Sequence, residues 1–230
     1  MDSSSIFDTL LDLPLFRGVS RQRIGDIAGK AKFHFLKYLP DTEVISEGDK
    51  CTHLKFILSG DVRLTLTDHK GRFSVSQTLS GPDVILPDYL FGRATHYPCS
   101  AKAITAVSIM QIEKADYLQI LTMDPVFMLN YLNYLSMNAQ KAVEGILSLG
   151  NGGVDARIAF WIISLTQPTG KNIEMNERHR DLYTIFGVQR SSFMATLKTM
   201  QEEGLIEFDS HTIRITDRRR LLNLLLTHPE

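Results

Sequence analysis

The strongest constraint in this sequence lies between Phe33 and Ile112, where apolar and polar residues alternate in short stretches cut by turn formers. Successive side chains of an extended strand point to opposite faces, so Val62, Leu64 and Leu66 face one way while Arg63, Thr65 and Thr67 face the other. This period of two predicts strands over 32–38, 43–45, 54–59, 61–67, 73–79, 100–103 and 108–112. Turn signals separate them at Pro40-Asp41, Glu47-Gly48-Asp49, Ser59-Gly60-Asp61, His69-Lys70-Gly71 and Ser80-Gly81-Pro82-Asp83. Each offers a positive φ, a fixed φ or a side chain that bonds its own backbone. Short strands at this spacing suit an all-β roll or barrel. Upstream, 20–31 reads as a helix with Ser20 as its N-cap.

Asp124-Pro125 opens a second kind of structure, because Asp before Pro at the first helical position combines two start signals. Val126, Leu129, Leu132, Leu135, Ala139, Ala142, Val143, Ile146 and Leu149 then recur at three and four residues, a stripe of about six turns. A stripe that long needs a long apolar partner. Packing on its own domain is one solution, but the break at Gly150-Asn151-Gly152-Gly153 favours a seam between two copies of the chain. The expected organisation is therefore a β-rich domain over 1–123, a dimerisation helix over 124–150 and a C-terminal domain over 151–230, an α+β fold overall.

The C-terminal part reads as helix (154–165), turn at Gln167-Pro168-Thr169-Gly170, strand (172–175), and then two helices over 178–186 and 189–203 joined through Gly187. Leu182, Ile185, Phe186, Val188, Phe193, Leu197 and Met200 are spaced to share one core. That leaves Gln189, Arg190, Ser191, Ser192, Thr196 and Lys198 outside, and the second helix carries no acid before Glu202. Arg190 suits a bidentate contact to guanine in a major groove, and Lys198 and the hydroxyls suit phosphates. Leu205 to Phe208, the turn Asp209-Ser210-His211 and Thr212 to Thr216 form an alternating hairpin, a wing. Asp217-Arg218-Arg219-Arg220 opens a last helix whose arginines face phosphates or simply solvent.

A formal charge of −1 lacks the strong basicity of many nucleic-acid binders, but phosphates meet one local face and distant charges are screened. Two cysteines, Cys51 and Cys99, form no CxxC pair and indicate neither a disulfide framework nor a cysteine-only metal site. The N-terminal residues show no basic leader, and no window approaches the roughly 18 apolar residues of a membrane span, so a cytoplasmic protein is expected. No GxSxG, HExxH or P-loop is present, and Glu43 and Glu47 read as surface carboxylates, so no catalytic function is expected.

Taken in order, these motifs resemble the cyclic-AMP-receptor/FNR family over nearly the full length. Leu13 to Ile24 is similar to its N-terminal helix, and Glu47-Gly48-Asp49 through Phe56-Ile57-Leu58-Ser59-Gly60-Asp61-Val62 to its strand-turn-strand signature. Gly187-Val188-Gln189-Arg190-Ser191-Ser192-Phe193 with Glu203-Gly204-Leu205-Ile206 is similar to its DNA-binding motif. The resemblance implies a cyclic-nucleotide-binding-like β-roll (a jelly roll), a dimer helix and a winged helix-turn-helix. It further implies duplex DNA and RNA polymerase as partners, and a small effector.

Where cyclic-nucleotide members carry Gly-Glu-Leu and then Arg-Ser/Thr-Ala, this chain has Leu86-Pro87-Asp88 and Cys99-Ser100-Ala101. A phosphate deprived of its arginine loses charge-assisted bonds of about 1.5–3 kcal/mol apiece. The helix positions that would meet the base are Ala142 and Val143, without donors. The expectation is a lost cyclic-nucleotide site, with Lys102 or Arg93 as the available substitute cations. Its place is taken by an unidentified effector pocket around Leu86, Asp88, Tyr89, Cys99, Ser100, Ala142 and Val143. Phe91, Tyr89 and Tyr97 allow an aromatic or apolar compound, or a core closed over an empty site. No cofactor is required, although His53, His69, His96 or Cys99 offers a haem ligand. Tyr183, at a position the motif reserves for small residues, and Ser191 and Ala195, in place of base-reading residues, support an alternative: a dimeric small-molecule or haem sensor whose DNA domain has become an adaptor.

Overall fold

The computed structural model describes residues 8–151, 153–177 and 179–226. They divide into two compact units, one holding residues up to Leu64 with Leu79–Met137, the other Thr65–Thr78 with residues from Asn138 onward.

In the first unit, helix α1 (Arg21–Ala28) starts where Ser20 Oγ accepts the Arg23 N–H at 3.3 Å. The strands are β1 (Phe33–Tyr38), β2 (Glu43–Ile45), β3 (His53–Ser59), β4 (Asp61–Thr67), β5 (Phe73–Ser80), β6 (Asp83–Ile85), β7 (Ser100–Ala103) and β8 (Val107–Glu113). Helix α2 (Lys114–Met123) follows β8 directly, and α3 (Pro125–Asn151) is the long helix. One antiparallel sheet has the order β1-β8-β3-β6. Leu54 and Phe56 of β3 and Met110 and Ile112 of β8 are buried on one face, and Ile57 and Ile109 on the opposite face are buried too. Phe16 stands edge-on to both Phe56 (5.4 Å) and Phe127 of α3 (4.9 Å), joining sheet to helix. Gly60 turns β3 into β4 at φ +87, where any side chain would also collide with the Ala106 carbonyl.

The start of α3 is tied down by polar groups. Asp124 Oδ1 accepts the Val126 N–H at 2.8 Å while Oδ2 lies 3.4 Å from Arg23 Nε, and Asn130 donates to the Leu15 and Arg17 carbonyls. Phe127 and Tyr131, one turn apart, are buried in this unit. The boundary between the units falls inside α3, after Met137.

The second unit contains α4 (Val154–Ser164), β9 (Lys171–Glu177), α5 (His179–Ile185), α6 (Arg190–Glu202), β10 (Ile206–Phe208), β11 (Thr212–Ile215) and α7 (Arg218–Leu226). Its core joins Ile158 and Ile162, Leu182, Phe193, Leu197, Met200, Ile206, Ile213 and Leu221. Alternation within the chain does not reveal one member of this unit, the β4–β5 hairpin tip. β9 pairs with β11 on one side and with β5 on the other, setting Val75 opposite Met175 and Ser76 opposite Glu174. Val75 is 2% exposed within this core, Phe73 meets Trp161 edge-on at 4.5 Å, and Gln77 Oε1 accepts the Gln167 N–H at 2.8 Å.

Val75→Ala is accordingly expected to lower stability by about 2 kcal/mol, the value of two fully buried methyl groups, as measured by urea unfolding of the full chain. A change within about 0.5 kcal/mol would place Val75 at the surface.

Candidate nucleic-acid interface and effector region

Helices α5 and α6 are set at their angle by a turn that only a flexible residue tolerates. Gly187 has φ +65, and the Val188 N–H donates to the Tyr183 carbonyl at 3.0 Å. Arg157 of α4 donates to the Phe186 carbonyl at 3.4 Å, and Phe186 stacks on Phe193 at 6.1 Å. Tyr183 lies edge-on to Phe193 at 6.4 Å, half-buried, so its ring serves the packing between the helices.

Phe193, Leu197 and Met200 face inward from α6 with at most 1% exposure. Gln189, Arg190, Ser191, Ser192 and Lys198 are all exposed, and none of their side chains has a hydrogen-bond or ion-pair partner among the described residues. Thr196 is half-buried and its hydroxyl donates back to the Ser192 carbonyl at 3.0 Å, leaving it an acceptor rather than a donor. Gln189 is an extended N-cap whose side chain closes no bond on the helix, so amides of the first turn stay open beside Arg190. Arg190 and Lys198 lie about 12 Å apart along the axis, at 1.5 Å per residue.

The tip of the wing is tied by its own aspartate. Asp209 Oδ1 accepts the His211 and Thr212 N–H groups at 2.9 and 3.0 Å, bonds that hold its carboxyl below the ordinary range. The arginine run divides: Arg219 and Arg220 are exposed, whereas Arg218 is half-buried with no partner for Nε among the described residues, and burial lowers its pKa. Arg214 is held by Glu174 at 3.3 Å.

In the first unit, Leu86 adopts a left-handed conformation (φ +42, ψ 54) immediately before a tight 3-10 turn at Pro87–Tyr89. For leucine this backbone costs about 1–2 kcal/mol. Tyr131 of α3, a residue the stripe reading passed over, donates its hydroxyl to the Pro87 carbonyl at 3.0 Å, and its ring meets Phe91 at 5.7 Å and Tyr117 at 5.6 Å. The buried Tyr117 hydroxyl has no hydrogen-bond partner among the described residues. Signal for this cluster existed, because Phe127 and Tyr131 are four apart on a different side of α3 from Leu129 and Leu132. Asp88 is exposed, Tyr89 and Ser100 are half-buried, and Cys99 is buried, which with Glu47 pushes its thiol up to about 12. Ala142 and Val143 are exposed on α3 and belong to the other compact unit. The four residues singled out as haem ligands are dispersed in environment: His69 and His96 are exposed, His53 is half-buried against Thr52, and the Cys99 thiol resists becoming the thiolate that iron would need.

Leu86→Gly relieves the left-handed leucine and is expected to raise stability by about 1 kcal/mol in thermal unfolding; a fall would mean that the leucine side chain contributes more packing than strain. Burial holds the Cys99 thiol well above its ordinary pKa, so at pH 8 it should react with a thiol reagent only after unfolding, and rapid native labelling at Cys99 would contradict its burial.

Comparison with known proteins agrees with this arrangement. Residues 35–124 match the cyclic nucleotide-binding domain and residues 156–224 the Crp-like helix-turn-helix domain, together more than half of the chain. The cAMP-activated global transcriptional regulator CRP of Salmonella typhimurium is 23% identical over 193 residues, spanning 81% of this chain and 91% of the relative. The cAMP-activated global transcriptional regulator Vfr of Pseudomonas aeruginosa is 22% identical over 199 residues, spanning 82% and 92%. The crystal structure of the Thermus thermophilus catabolite activator protein shares the fold with a TM-score of 0.54 at 20% identity, over 93% of this chain and 98% of that one. Both relatives are named as transcriptional regulators, and among the described residues no helix is long and apolar enough to cross a membrane. With a cyclic nucleotide-binding domain followed by a Crp-like helix-turn-helix domain, the chain belongs to the Crp/Fnr family of transcription regulators.

Proposed function

We propose that this protein is a homodimeric, sequence-specific DNA-binding regulator controlled by a small effector other than cyclic AMP. The observation that carries the DNA reading is the exposed side of α6. Gln189, Arg190, Ser191 and Ser192 sit at the open N-terminal end, Thr196 and Lys198 follow, and the apolar side of the same helix is committed to the core. Arg190 is assigned to a guanine edge and Lys198 to a phosphate, with Thr196 as an acceptor.

The dimer reading rests on α3. Leu129 (57% exposed), Leu132 (48%), Val143 (57%) and Leu147 (67%) leave water on the side away from the buried Phe127 and Tyr131. A second copy, meeting the same stripe, is the occupant that self-complementary symmetry favours. Two α6 helices then read half-sites about 34 Å apart. RNA polymerase is the further partner that family membership suggests, the cytoplasm is the expected compartment, and no catalytic step is assigned.

The effector reading rests on what stands at the phosphate cassette. Leu86-Pro87-Asp88 and Cys99-Ser100 supply no cation, and Tyr131 already uses the Pro87 carbonyl. The curated relatives are named as cAMP-activated; in our reading this chain carries Leu86-Pro87-Asp88 and Cys99-Ser100 in place of the residues through which the family holds the nucleotide, with Lys102 or Arg93 as the available substitute cations. Leu86, Asp88, Tyr89, Cys99 and Ser100 are the residues assigned to the replacement pocket.

A gel-shift selection against genomic fragments tests the DNA reading. Wild type should retain a near-palindromic subset at moderate salt, and Arg190→Ala should weaken that subset roughly 10–100-fold while leaving non-specific binding almost unchanged. Lys198→Ala should weaken all duplexes alike and reduce the salt slope by about one. No preference among fragments would overturn the reading. For the seam, Leu132→Glu should convert the dimer to monomer in sedimentation, and an unchanged dimer would place the interface elsewhere.

A further inference from the structure

Within the second unit, the wing has a neighbour that the helix-turn-helix pattern does not contain. β9 has β11 on one side and β5 on the other, so Thr212, Asn176 and Ser74 stand in line across three strands. The turn at 209–211 immediately precedes Thr212, and the turn at 68–72 immediately precedes Phe73, whose register partner is Glu177, the last residue of β9. Both turns therefore leave the same end of the sheet. They are separated by two strand spacings of about 4.8 Å, which puts the tips roughly 10 Å apart. From that same end β9 leads into α5, the first helix of the helix-turn-helix.

The 68–72 turn holds its shape with its own groups and leaves one cation outside. The Asp68 N–H donates to the Phe73 carbonyl at 3.0 Å, and the Gly71 N–H to the Asp68 carbonyl at 2.7 Å. Gly71 supplies the positive φ (+64), and a side chain there would meet nothing within 4 Å, so the tip stands clear of the protein. The Asp68 carboxylate is spent on the turn: it accepts Arg72 Nε at 2.8 Å and Nη2 at 3.4 Å, and the Lys70 and Arg72 backbone N–H groups help to hold it below the ordinary carboxylate range. Asp68 above all, with a further attraction from Asp181 in the first turn of α5, raises the Arg72 pKa, so that guanidinium is committed to carboxylates. Glu177 faces Phe73 in register, and its side chain lies outside those described. Lys70 differs from Arg72. It is exposed, and its ammonium has no hydrogen-bond or ion-pair partner among the described residues.

The scale of a duplex matches this spacing. A major groove is about 12 Å wide between its sugar–phosphate walls, close to the tip separation, so a duplex docked against the 209–211 turn brings phosphates to the 68–72 turn as well. An exposed ammonium there gains affinity by releasing a counterion condensed on the duplex. Resting on the reading of α6 as the DNA-binding helix, we propose that the β4–β5 turn is a second wing, whose Lys70 ammonium binds a phosphate of the same duplex that α6 and the 209–211 turn engage. The contact carries no base specificity, because phosphates are alike in every sequence. Its effect is to add affinity from a segment more than a hundred positions upstream of α6, built into the same unit through the β5–β9 pairing.

Binding of the full-length protein to a duplex that wild type selects, and to a random duplex of equal length, is followed by fluorescence anisotropy across a series of KCl concentrations. Lys70→Gln should weaken both about 3–10-fold near 0.1 M salt and lower the slope of log K against log salt by about one, since one phosphate contact is lost. Lys171→Gln removes the same charge from the opposite end of β9, roughly 17 Å from Asn176 at 3.4 Å per residue, and should leave affinity and slope as in wild type. Both lysines are exposed, so the thermal melts of both variants should overlay that of wild type. An unchanged slope in Lys70→Gln, or an equal loss in Lys171→Gln, would overturn the proposal and leave the α6 reading intact. Failure of wild type to prefer any sequence would instead overturn the α6 reading, and the slope on the random duplex would still decide for or against Lys70.

Discussion

Phe193, Leu197 and Met200 leave water almost completely, and because α6 is a single stiff helix, burying them dictates where every other residue of that helix points. At roughly 1.5–3 kcal/mol for each large apolar side chain removed from water, this contact is worth more than any polar bond the helix makes on its own surface. Rotating α6 by a single residue, about 100°, would expose Phe193 and drag the Arg190 guanidinium toward the core, adding a desolvation penalty to the lost burial. The outward set of Gln189, Arg190, Ser191, Ser192 and Lys198 is thus a consequence of packing. Gly187 and the Arg157 contact to Phe186 then fix the angle at which that side is presented.

The long helix follows the same logic at larger scale. Helices apolar on more than one side are buried on more than one side. Phe127 and Tyr131 satisfy one side within the first unit, and Leu129, Leu132, Val143 and Leu147 leave a second unsatisfied. Tyr131 also ties α3 to the segment after the left-handed Leu86, next to the unpartnered Tyr117 hydroxyl. Strain and an orphaned polar group therefore coincide beside the element proposed to carry the dimer.

Strand β4 was legible because one face is buried and the other wet, so period two survives in Val62 to Thr67. β6 was not legible: Asp83, Val84 and Ile85 are all buried and leave no alternation to read. Helix α2 was missed because Lys114 continues from β8 with no Gly, Pro or capping side chain to mark the change. Strand β9 was expected over four residues and spans seven, since its second partner is β5, nearly a hundred positions away in sequence. In α6 the outward residues were legible from the spacing of their apolar neighbours. The Thr196 back-bond and the inward turn of Arg218 were not, because both depend on contacts that composition and periodicity do not record.

Amide hydrogen exchange on the full-length protein, with and without a selected genomic duplex, addresses the central claim residue by residue. The account predicts slowed exchange concentrated in 189–198 and at the wing tip 209–212, with β1, β3 and β8 unchanged. Protection confined to the roll, or no slowing at the start of α6 under conditions where the duplex is bound, would contradict it.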